Sequence, residues 1–312
     1  MRQLNKLLCR GWPGNSIGLQ YALARRLLPS IRGCIDVPTQ YGFDILLRVD
    51  PLGGPLQGSV ERNIYYLGTY EAGTLHEIGQ MLSRRSGGSC FVDVGAHCGL
   101  MSLFAAHRAG ARTVVAMEPA EEMYEVLASN MKRHDVEFAT SHCFQVAVGS
   151  KRGVTSLLRD PNNSGATRVV EGPTSSALVP MVTLDEIIAR TELSRVDLIK
   201  IDVEGHERDV LAGANETIAR HRPDLILEYD FSERDTHLID DLCRLGYDVY
   251  VLSRSRHIVS DLVPFKDIAH TRSSVDNLFC FPRPWAESFS PASAAQHCTL
   301  RSPHPRAPGA DW

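Results

Sequence analysis

Seven short apolar runs, separated by segments with helical periodicity, constrain the fold of this 312-residue chain more than any other feature. These predicted strands lie at residues 90–94, 113–117, 144–148, 196–201, 225–228, 247–252 and 277–281. Runs that are apolar nearly throughout are typical of strands covered on both faces, as in parallel sheets. The alternation therefore predicts an α/β fold with a doubly wound, mostly parallel sheet.

The segments between the strands carry recognisable helix boundaries. Leu100, Leu103 and Phe104 follow the helical period up to Gly110, and Thr183 with Glu186 is expected to form a capping box. In a doubly wound sheet, ligands bind outside the carboxyl ends of the strands. The residues that follow each apolar run are therefore the place to look for function.

Composition shifts divide the chain into four predicted parts. Residues 1–34 contain basic residues and no acid, which predicts a basic helical segment that packs on the body or makes weak peripheral membrane contact. Residues 35–85 are expected to form an accessory hairpin and helix, because Phe43, Ile45, Leu47 and Val49 alternate after a turn. Residues 86–284 form the main domain, and the proline-rich tail at 285–312 is predicted to be disordered.

Overall charge and cysteine usage exclude several classes of protein. The net charge of -4 provides no field for nucleic acid, and no run approaches the ~18 apolar residues of a membrane span. The eight cysteines form no C-x-x-C pair, which favours reduced thiols over a disulfide framework or zinc site. No secretory signal is recognisable at the N-terminus, so we expect a cytoplasmic protein.

The first predicted strand ends in a loop suited to a small ligand. Its sequence is Asp93-Val94-Gly95-Ala96-His97-Cys98-Gly99, whose glycines allow the backbone to turn and approach a ligand closely. It is not the G-x-G-x-x-G of dinucleotide sites, and a carboxylate at the strand end would repel a pyrophosphate. The same carboxylate suits an ammonium group, which S-adenosylmethionine carries together with a sulfonium.

The second predicted strand ends in Glu118-Pro119, where a doubly wound fold places the acid that holds ribose hydroxyls. A purely structural alternative stays open at this point. Gly95 and Gly99 can serve a tight turn alone, and Glu118 can cap the helix that Pro119 begins.

A strand that runs into acids and a histidine is the third feature. Asp202, Glu204 and His206 are spaced by two, so an extended backbone would direct them to one face of the crevice. Glu207 is expected to interact with the dipole of the next helix. Lys200 lies inside the apolar strand and is interpreted as a structural lysine whose amine reaches solvent, directed away from the surroundings of Asp202.

Together these motifs resemble the FkbM family of S-adenosylmethionine-dependent methyltransferases. Its order and spacing are matched over roughly residues 70–255 by Asp93–Ser102, Glu118-Pro119, Leu127–Asn130, Ala147-Val148, Thr183–Asp185, Ile199–Glu207 and Leu211–Ala214. The resemblance implies a class I methyltransferase (Rossmann-like) fold with seven strands, the last antiparallel. It also implies an O-methyltransferase that acts on a hydroxyl of a sugar, glycan or polyketide-type natural product.

The resemblance further implies which residues bind the donor. The positions carried over are Asp93, Gly95, Ala96, His97 and Gly99 in the loop, Glu118, Pro119 and Ala147 beyond the next strands, Asp202 beside the methyl group, and the pair Tyr70 and Glu71 ahead of the first strand. His97 replaces the family's usual Asn. Its ring can still hydrogen-bond the donor's carboxylate, or can titrate near neutral pH.

A methyl transfer to an alcohol benefits from a general base. The candidates are Asp202, Glu204 and His206, with Asp202 the first choice unless it holds the donor's ammonium. Glu228 ends the next strand and with Asp202 could hold a divalent cation, which we do not favour because two carboxylates are insufficient. The segment at 159–176 is predicted to be a loop that serves as acceptor platform or plain surface.

Two other functions compete with the enzyme. One is a noncatalytic binding protein that retains the methyltransferase sheet, and the retained acids Asp93, Glu118 and Asp202 disfavour it. The other is a nicotinamide-dependent oxidoreductase, which the missing phosphate-binding glycine pattern disfavours.

Overall fold

The computed structural model describes residues 26, 33–49, 60–85, 87–160, 163–170, 178–232, 236–268, 271–272 and 274–283. The basic segment at 1–34, apart from its last residues, and the tail at 285–312 lie outside this part of the chain. The helices are α1 (Val60–Leu67), α2 (Ala72–Ser83), α3 (Leu100–Ala109), α4 (Glu121–Arg133), α5 (Leu184–Thr191), α6 (Glu207–Ala212), α7 (Asn215–His221), α8 (Thr236–Arg244) and α9 (Phe265–Ile268).

The strands form three sheets. The main sheet contains β3 (Ser89–Val94), β4 (Ala111–Met117), β5 (Thr140–Phe144), β10 (Leu198–Ile201), β11 (Asp224–Asp230), β12 (Tyr247–Leu252), β13 (Leu262–Pro264) and β14 (Val275–Pro282). The second contains β6 (Ala147–Val148), β7 (Gly153–Asp160), β8 (Asn163–Val170) and β9 (Leu178–Val182), and the third pairs β1 (Gly33–Pro38) with β2 (Asp44–Val49).

The main sheet has the order β13-β12-β14-β11-β10-β3-β4-β5. Strands β3, β4, β5, β10 and β11 are parallel, and β14 is inserted antiparallel between β11 and β12. This confirms the predicted α/β class and the antiparallel last strand. The number of strands differs, because the short β13 pairs antiparallel with the edge of β12 and adds an eighth strand to the predicted seven.

Two sequence predictions about strands are wrong. The run at 144–148 is not one strand. Strand β5 of the main sheet ends at Phe144, and Ala147-Val148 forms β6, which pairs with β9 in the second sheet. The segment at 159–176, expected to be a loop, supplies the end of β7 and all of β8, which form an antiparallel hairpin. This hairpin escapes the sequence pattern because only part of it is buried, for example Leu157, while Val154 and Leu158 are exposed.

The predicted helix boundaries at Gly110 and Thr183 are confirmed, but only one hydrogen bond of the expected capping box is present among the described residues, because the Glu186 carboxylate contacts Arg152. Helix α3 ends at Gly110, which adopts a left-handed backbone, and the backbone N–H of Glu186 donates to the Thr183 hydroxyl at the start of α5. Among the described helices, none is long and apolar enough to cross a membrane.

The predicted hairpin before the main fold is present and packs into the protein core. Ile45 and Leu47 of β2 and Leu75 of α2 are fully buried in the same apolar cluster as Leu103 of α3 and Phe279 of β14. Its position is further fixed by Asn130, whose side chain exchanges two hydrogen bonds with the backbone of Leu46. The segment at 35–85 therefore completes one face of the sheet next to the carboxyl ends of its strands.

Candidate active site

A cavity of about 270 Å³ lies at the carboxyl ends of β3, β4, β10 and β11. Most of the residues singled out in the sequence line it, namely Tyr70, Asp93, Gly95, Ala96, His97, Glu118, Pro119, Ala147, Asp202 and Glu204. Gly99, Glu71 and His206 do not belong to its lining. The cavity also contains Lys200, Glu228 and Arg256, and the hairpin residues Leu157, Thr167 and Val169 cover one side.

Gly95 follows β3 and packs closely against the ends of β4 and β10. Its φ is +80°, and a Cβ atom built on it would lie 1.8 Å from the carbonyl oxygen of Asp202. The backbone N–H groups of Gly95 and Ala96 both donate to the carbonyl of Met117. Glycine is therefore required here for close packing of the loop on β4 and β10, which is the structural alternative considered from the sequence.

Gly99 serves the helix and not the cavity. It precedes α3 with a φ of +86°, and a Cβ there would lie 2.8 Å from Leu127 Cδ1. The residue allows the loop to enter α3 in a left-handed conformation.

Asp93 is fully buried at the end of β3 and lines the cavity. Its Oδ2 accepts a hydrogen bond of 2.7 Å from the Ser102 hydroxyl, whereas Oδ1 has no hydrogen-bond donor among the described residues. Burial raises the pKa of Asp93, and the nearby Lys200 opposes that rise. A buried carboxylate oxygen without a donor is a costly feature that a ligand with N–H groups would relieve.

Glu118, at the end of the neighbouring strand β4, organises the loop that follows β3. Its Oε2 accepts from the backbone N–H of His97 at 3.0 Å and its Oε1 from that of Ala120 at 2.9 Å. Burial raises the pKa of this carboxyl group, while His97 acts in the other direction. Each carboxylate oxygen retains a further lone pair, so the group can still accept from ligand hydroxyls.

His97 contacts Glu61, a residue that the sequence motifs do not identify. Its Nε2 lies 3.4 Å from Glu61 Oε1 of α1, and its φ is +51°. Burial disfavours the imidazolium, but the Glu61 carboxylate, Cys98 and Glu118 together outweigh that effect and raise the pKa of His97 to about 10. Titration near neutral pH, one of two roles considered from the sequence, is therefore not supported.

Asp202 and Lys200 form an ion pair in which the lysine is buried and the aspartate is partly buried. Lys200 is 3% exposed and its Nζ lies 2.7 Å from Asp202 Oδ2. The prediction that this amine reaches solvent away from Asp202 is wrong, since residues two apart on an extended backbone point to the same face. Burial works against ionisation of Asp202, but Lys200 and Arg256 hold its pKa below the ordinary value.

Glu204 has the properties of a general base. It is partly buried, lines the cavity and has a φ of +54°, which is unusual for a residue with a side chain. Burial and the Asp202 carboxylate raise the pKa of Glu204 to about 7, against the opposing charge of Arg256. A carboxyl group that titrates near neutral pH is better matched to proton removal than one held as a carboxylate.

His206 contacts the β7–β8 hairpin and does not line the cavity. Its Nε2 lies 2.8 Å from the Val169 carbonyl, and its Nδ1 lies 3.3 Å from Asp209 Oδ2, while Asp209 Oδ1 accepts a hydrogen bond from the Ser150 hydroxyl. Because a carbonyl can only accept, Nε2 carries a proton and cannot take another. The structure does not bring this third candidate base to the site.

Tyr70 and Glu71 lie at the site immediately before α2. The ring of Tyr70 lines the cavity next to His257, with ring centroids 5.4 Å apart, and burial raises the pKa of its hydroxyl. Glu71 lies behind it, 2% exposed, where it contacts Arg256 and accepts a hydrogen bond from Asn277. Arg256 and Asn277 carry no motif, and no signal in the sequence identifies them.

The acids of the cavity have the oxygen donors that a hard divalent cation prefers. Ligand atoms of Asp202, Glu204 and Glu228 lie within 4.8 Å of one another. Two positively charged side chains already contact this group. Lys200 Nζ lies 2.7 Å from Asp202 Oδ2, and Arg256 Nη1 lies 2.7 Å from Glu228 Oε1.

Most of these cavity residues lie in a part of the chain that matches a known protein family. The profile of the methyltransferase FkbM domain matches residues 93–249, about half of the chain. The chain belongs to the FkbM methyltransferase family. The matched range contains the loop after β3, Glu118 and the acid cluster after β10, whereas Tyr70, Glu71 and Arg256 lie outside it.

The sequence identity to two individual relatives is below 30%. The chain is 29% identical over 160 residues to the 31-O-demethyl-FK506 methyltransferase FkbM of Streptomyces tacrolimicus, covering 41% of this chain and 60% of that one. It is 27% identical over 156 residues to the methyltransferase sdnD of Sordaria araneosa, covering 40% and 60%. The chain thus spans about three fifths of the length of the curated relatives it matches.

A solved structure is also similar. The methyltransferase FkbM of Methylobacillus flagellatus KT has 21% sequence identity and a TM-score of 0.40, with 70% of this chain and 52% of that chain covered.

Proposed function

We propose that this FkbM family member is an S-adenosylmethionine-dependent O-methyltransferase that acts on a hydroxyl of a sugar, glycan or polyketide-type natural product. The observation that carries the proposal is Asp93 at the cavity wall, whose buried Oδ1 accepts no hydrogen bond from any residue that the structure describes. The donor's ammonium group would supply the missing N–H, and its charge would match a site lined by acids from four strands.

The residues of the cavity fit the remaining parts of the donor. Glu118 retains lone pairs for two ribose hydroxyls, and Ala147 and Met117 provide apolar surface for an adenine ring. Gly95 brings the loop backbone against β10, so the methionine end would lie between Asp93 and Asp202. When bound, S-adenosylmethionine supplies a methyl group made reactive by the sulfonium.

The protein's own contribution is positioning and proton removal. We infer that Glu204 accepts the proton of the acceptor hydroxyl, because it lines the cavity and because burial and the Asp202 carboxylate raise the pKa of its carboxyl group to about 7. Asp202, the first choice from the sequence, instead stays a carboxylate paired with Lys200, which suits it to the cationic donor. His206 is not part of this step.

The proposal is tested with S-adenosylmethionine that carries a tritiated methyl group. Purified chain is incubated with extracts of cells that lack the gene, and labelled products are identified by mass spectrometry as methyl ethers. We expect label in a glycan or small molecule that is unmethylated in the gene-deleted cells. Saturable donor binding with no labelled product would instead favour the noncatalytic binding protein, and a preference for a dinucleotide would favour the oxidoreductase.

A further inference from the structure

The β7–β8 hairpin has an inner face that lines the cavity and an outer face that does not. Leu157 of β7 and Val169 of β8 are direct cross-strand partners, so their side chains lie on the same side of the sheet. Both line the cavity together with Thr167, which is two residues from Val169 and shares its face. Val154 lies on the opposite face of β7 and is 68% exposed. The two faces of this hairpin therefore have different surroundings.

The inner face packs on the side of the cavity that Glu118 and Ala147 line. Leu157 and Val169 belong to one apolar cluster with Ala147 of β6 and with Ala120, whose backbone N–H donates to Glu118. Leu157 is only 1% exposed and supports this wall from within. Val169 is partly exposed, so it has apolar surface that a ligand in the cavity can still cover.

The main chain of β8 is held from two directions. His206 Nε2, in the loop before α6, donates to the Val169 carbonyl at 2.8 Å. The Thr155 hydroxyl of β7 donates to the Val170 carbonyl at 3.2 Å. A wall that is fixed in this way requires little rearrangement when a ligand binds against it.

The chemistry of this part of the cavity favours an aromatic ring that carries hydroxyl groups. Met117 and Ala147 line it from the strand ends, and Leu157 and Val169 line it from the hairpin. Apolar side chains of this kind bind the face of a ring, while a few polar groups at the side fix its orientation. Glu118 is such a polar group, because its oxygens retain lone pairs that can accept from hydroxyls.

We propose that the β7–β8 hairpin is part of the donor site and that Val169 contacts the adenine ring of S-adenosylmethionine. This inference rests on the proposed function, in which Ala147 and Met117 provide surface for the same ring. It gives the hairpin a role in donor binding. The acceptor platform that the sequence suggested at 159–176 would then lie elsewhere in the cavity.

The test is carbon-13 methyl NMR of valine-labelled wild-type protein, titrated with S-adenosylhomocysteine, which is the donor without its reactive methyl group. A methyl group that lies over the face of an aromatic ring shifts upfield, because the induced field of the ring opposes the applied field there. We expect the Val169 signals to shift in this way and the Val154 signals to stay in place. The signals are assigned from the spectra of Val169→Ala and Val154→Ala.

The same two variants measure what the contact contributes to binding. In calorimetric titrations, Val169→Ala is expected to bind S-adenosylhomocysteine about fourfold more weakly, the equivalent of roughly one buried methylene. Val154→Ala makes the same chemical change on the exposed outer face and is expected to bind like wild type.

Three results would overturn the inference. The first is binding by wild type that leaves the Val169 signals unmoved, and the second is an equal affinity in folded Val169→Ala. The third is a shift of the Val154 signals as large as that of Val169, because it would report a rearrangement of the whole hairpin and not contact with a ring.

A parallel titration with NAD separates this inference from the proposed function, because NAD carries the same adenine and ribose without the methionine part. Binding of S-adenosylhomocysteine with unmoved Val169 signals would remove the role of Val169 and leave the proposed function intact. An upfield shift of Val169 with NAD, together with no binding of S-adenosylhomocysteine or S-adenosylmethionine, would keep the ring contact and contradict the proposed function. No response to any of these ligands would contradict both.

Discussion

The two sides of the cavity are built in different ways. On the loop side, after β3 and β4, backbone groups and carboxylates satisfy one another: Glu118 accepts two N–H groups and Gly95 packs against the Asp202 carbonyl. On the acid side, after β10 and β11, charged side chains balance one another, with Lys200 and Arg256 set among carboxylates. The loop side offers a fixed shape, whereas the acid side offers a group whose protonation can change.

The comparison teaches which chemistry each side can support. A rigid wall with one buried oxygen left without a donor is suited to bind, because its groups need no rearrangement. A carboxyl group with its pKa raised to about 7 is suited to transfer a proton. Substitutions on the two sides are therefore expected to separate donor binding from turnover.

The largest effect is expected from Glu204→Gln, which removes the base and keeps the size of the side chain. Turnover, measured as tritiated methyl incorporation, should fall by about 10²- to 10⁴-fold while donor affinity is retained. In wild type the rate should rise with pH through about 7, since the base acts only when deprotonated, and this rise should vanish in the variant.

A matched control is Glu192→Gln, which changes an exposed glutamate that also has a positive φ, of +51°. It is expected to leave both rate and pH dependence unchanged. If Glu204→Gln retained full turnover, the assignment of the base would be wrong, and Asp202 would return as the candidate.

Gly95→Ala is expected to act on the other side of the cavity. Gly110→Ala serves as its control, because Gly110 has a similar φ of +75° and nothing within 4 Å of its Cβ position. The control should lose about 1–2 kcal/mol of stability from the left-handed backbone alone. Gly95→Ala should lose more and should also lose donor affinity, because its Cβ would lie 1.8 Å from the Asp202 carbonyl oxygen.

Thermal melts and calorimetry measure the two effects of the glycine substitutions. Equal stability losses in both variants, with donor affinity kept, would show that the close approach of the loop to β10 is not needed for the site.

A smaller effect is expected from His206→Ala, which removes the contact between α6 and the hairpin. The loss of this partly exposed hydrogen bond should lower the free energy of unfolding by about 0.5–1.5 kcal/mol. Turnover should change only a few-fold. A loss of turnover as large as that of Glu204→Gln, with the melting temperature unchanged, would restore His206 as a base.

No effect is expected from a chelator. Lys200 and Arg256 already contact the carboxylates that a divalent cation would need, so turnover with and without EDTA should agree. Activity that is lost with EDTA and regained with magnesium or manganese would place a metal on the acid side.

Much of the fold follows from the sequence. Strands covered on both faces, such as β3 and β10, are apolar at most positions and are therefore readily recognised from the sequence. The helices are then expected in the segments that connect them. The β7–β8 hairpin does not follow, because apolar residues such as Val154 and Leu158, among the side chains whose burial is described, are exposed and give no core pattern. The break after Phe144 is also hidden, since apolar residues continue on both sides of it into two different sheets.

The site is predictable only where its residues follow a strand. Asp93, Glu118, Asp202 and Glu204 are found in this way, because parallel strands bring their carboxyl ends to one edge. Arg256 lies in the loop between β12 and β13, and its place at the cavity depends on contacts with Glu71 and Glu228 that no local pattern encodes. The residues at 1–25 and 284–312 lie outside the described structure, so weak membrane contact through 1–34 and the cytoplasmic location stay predictions.

The central claim is that this cavity was shaped for a cationic sulfur-containing donor with an ammonium group. Isothermal titration calorimetry of the wild-type chain and of Asp93→Asn with S-adenosylmethionine tests it most directly. We expect saturable binding at one site per wild-type chain, weakened about tenfold or more in the variant, because a charged hydrogen bond is replaced by a neutral one. No detectable binding by wild type, or equal binding by the folded variant, would contradict the account.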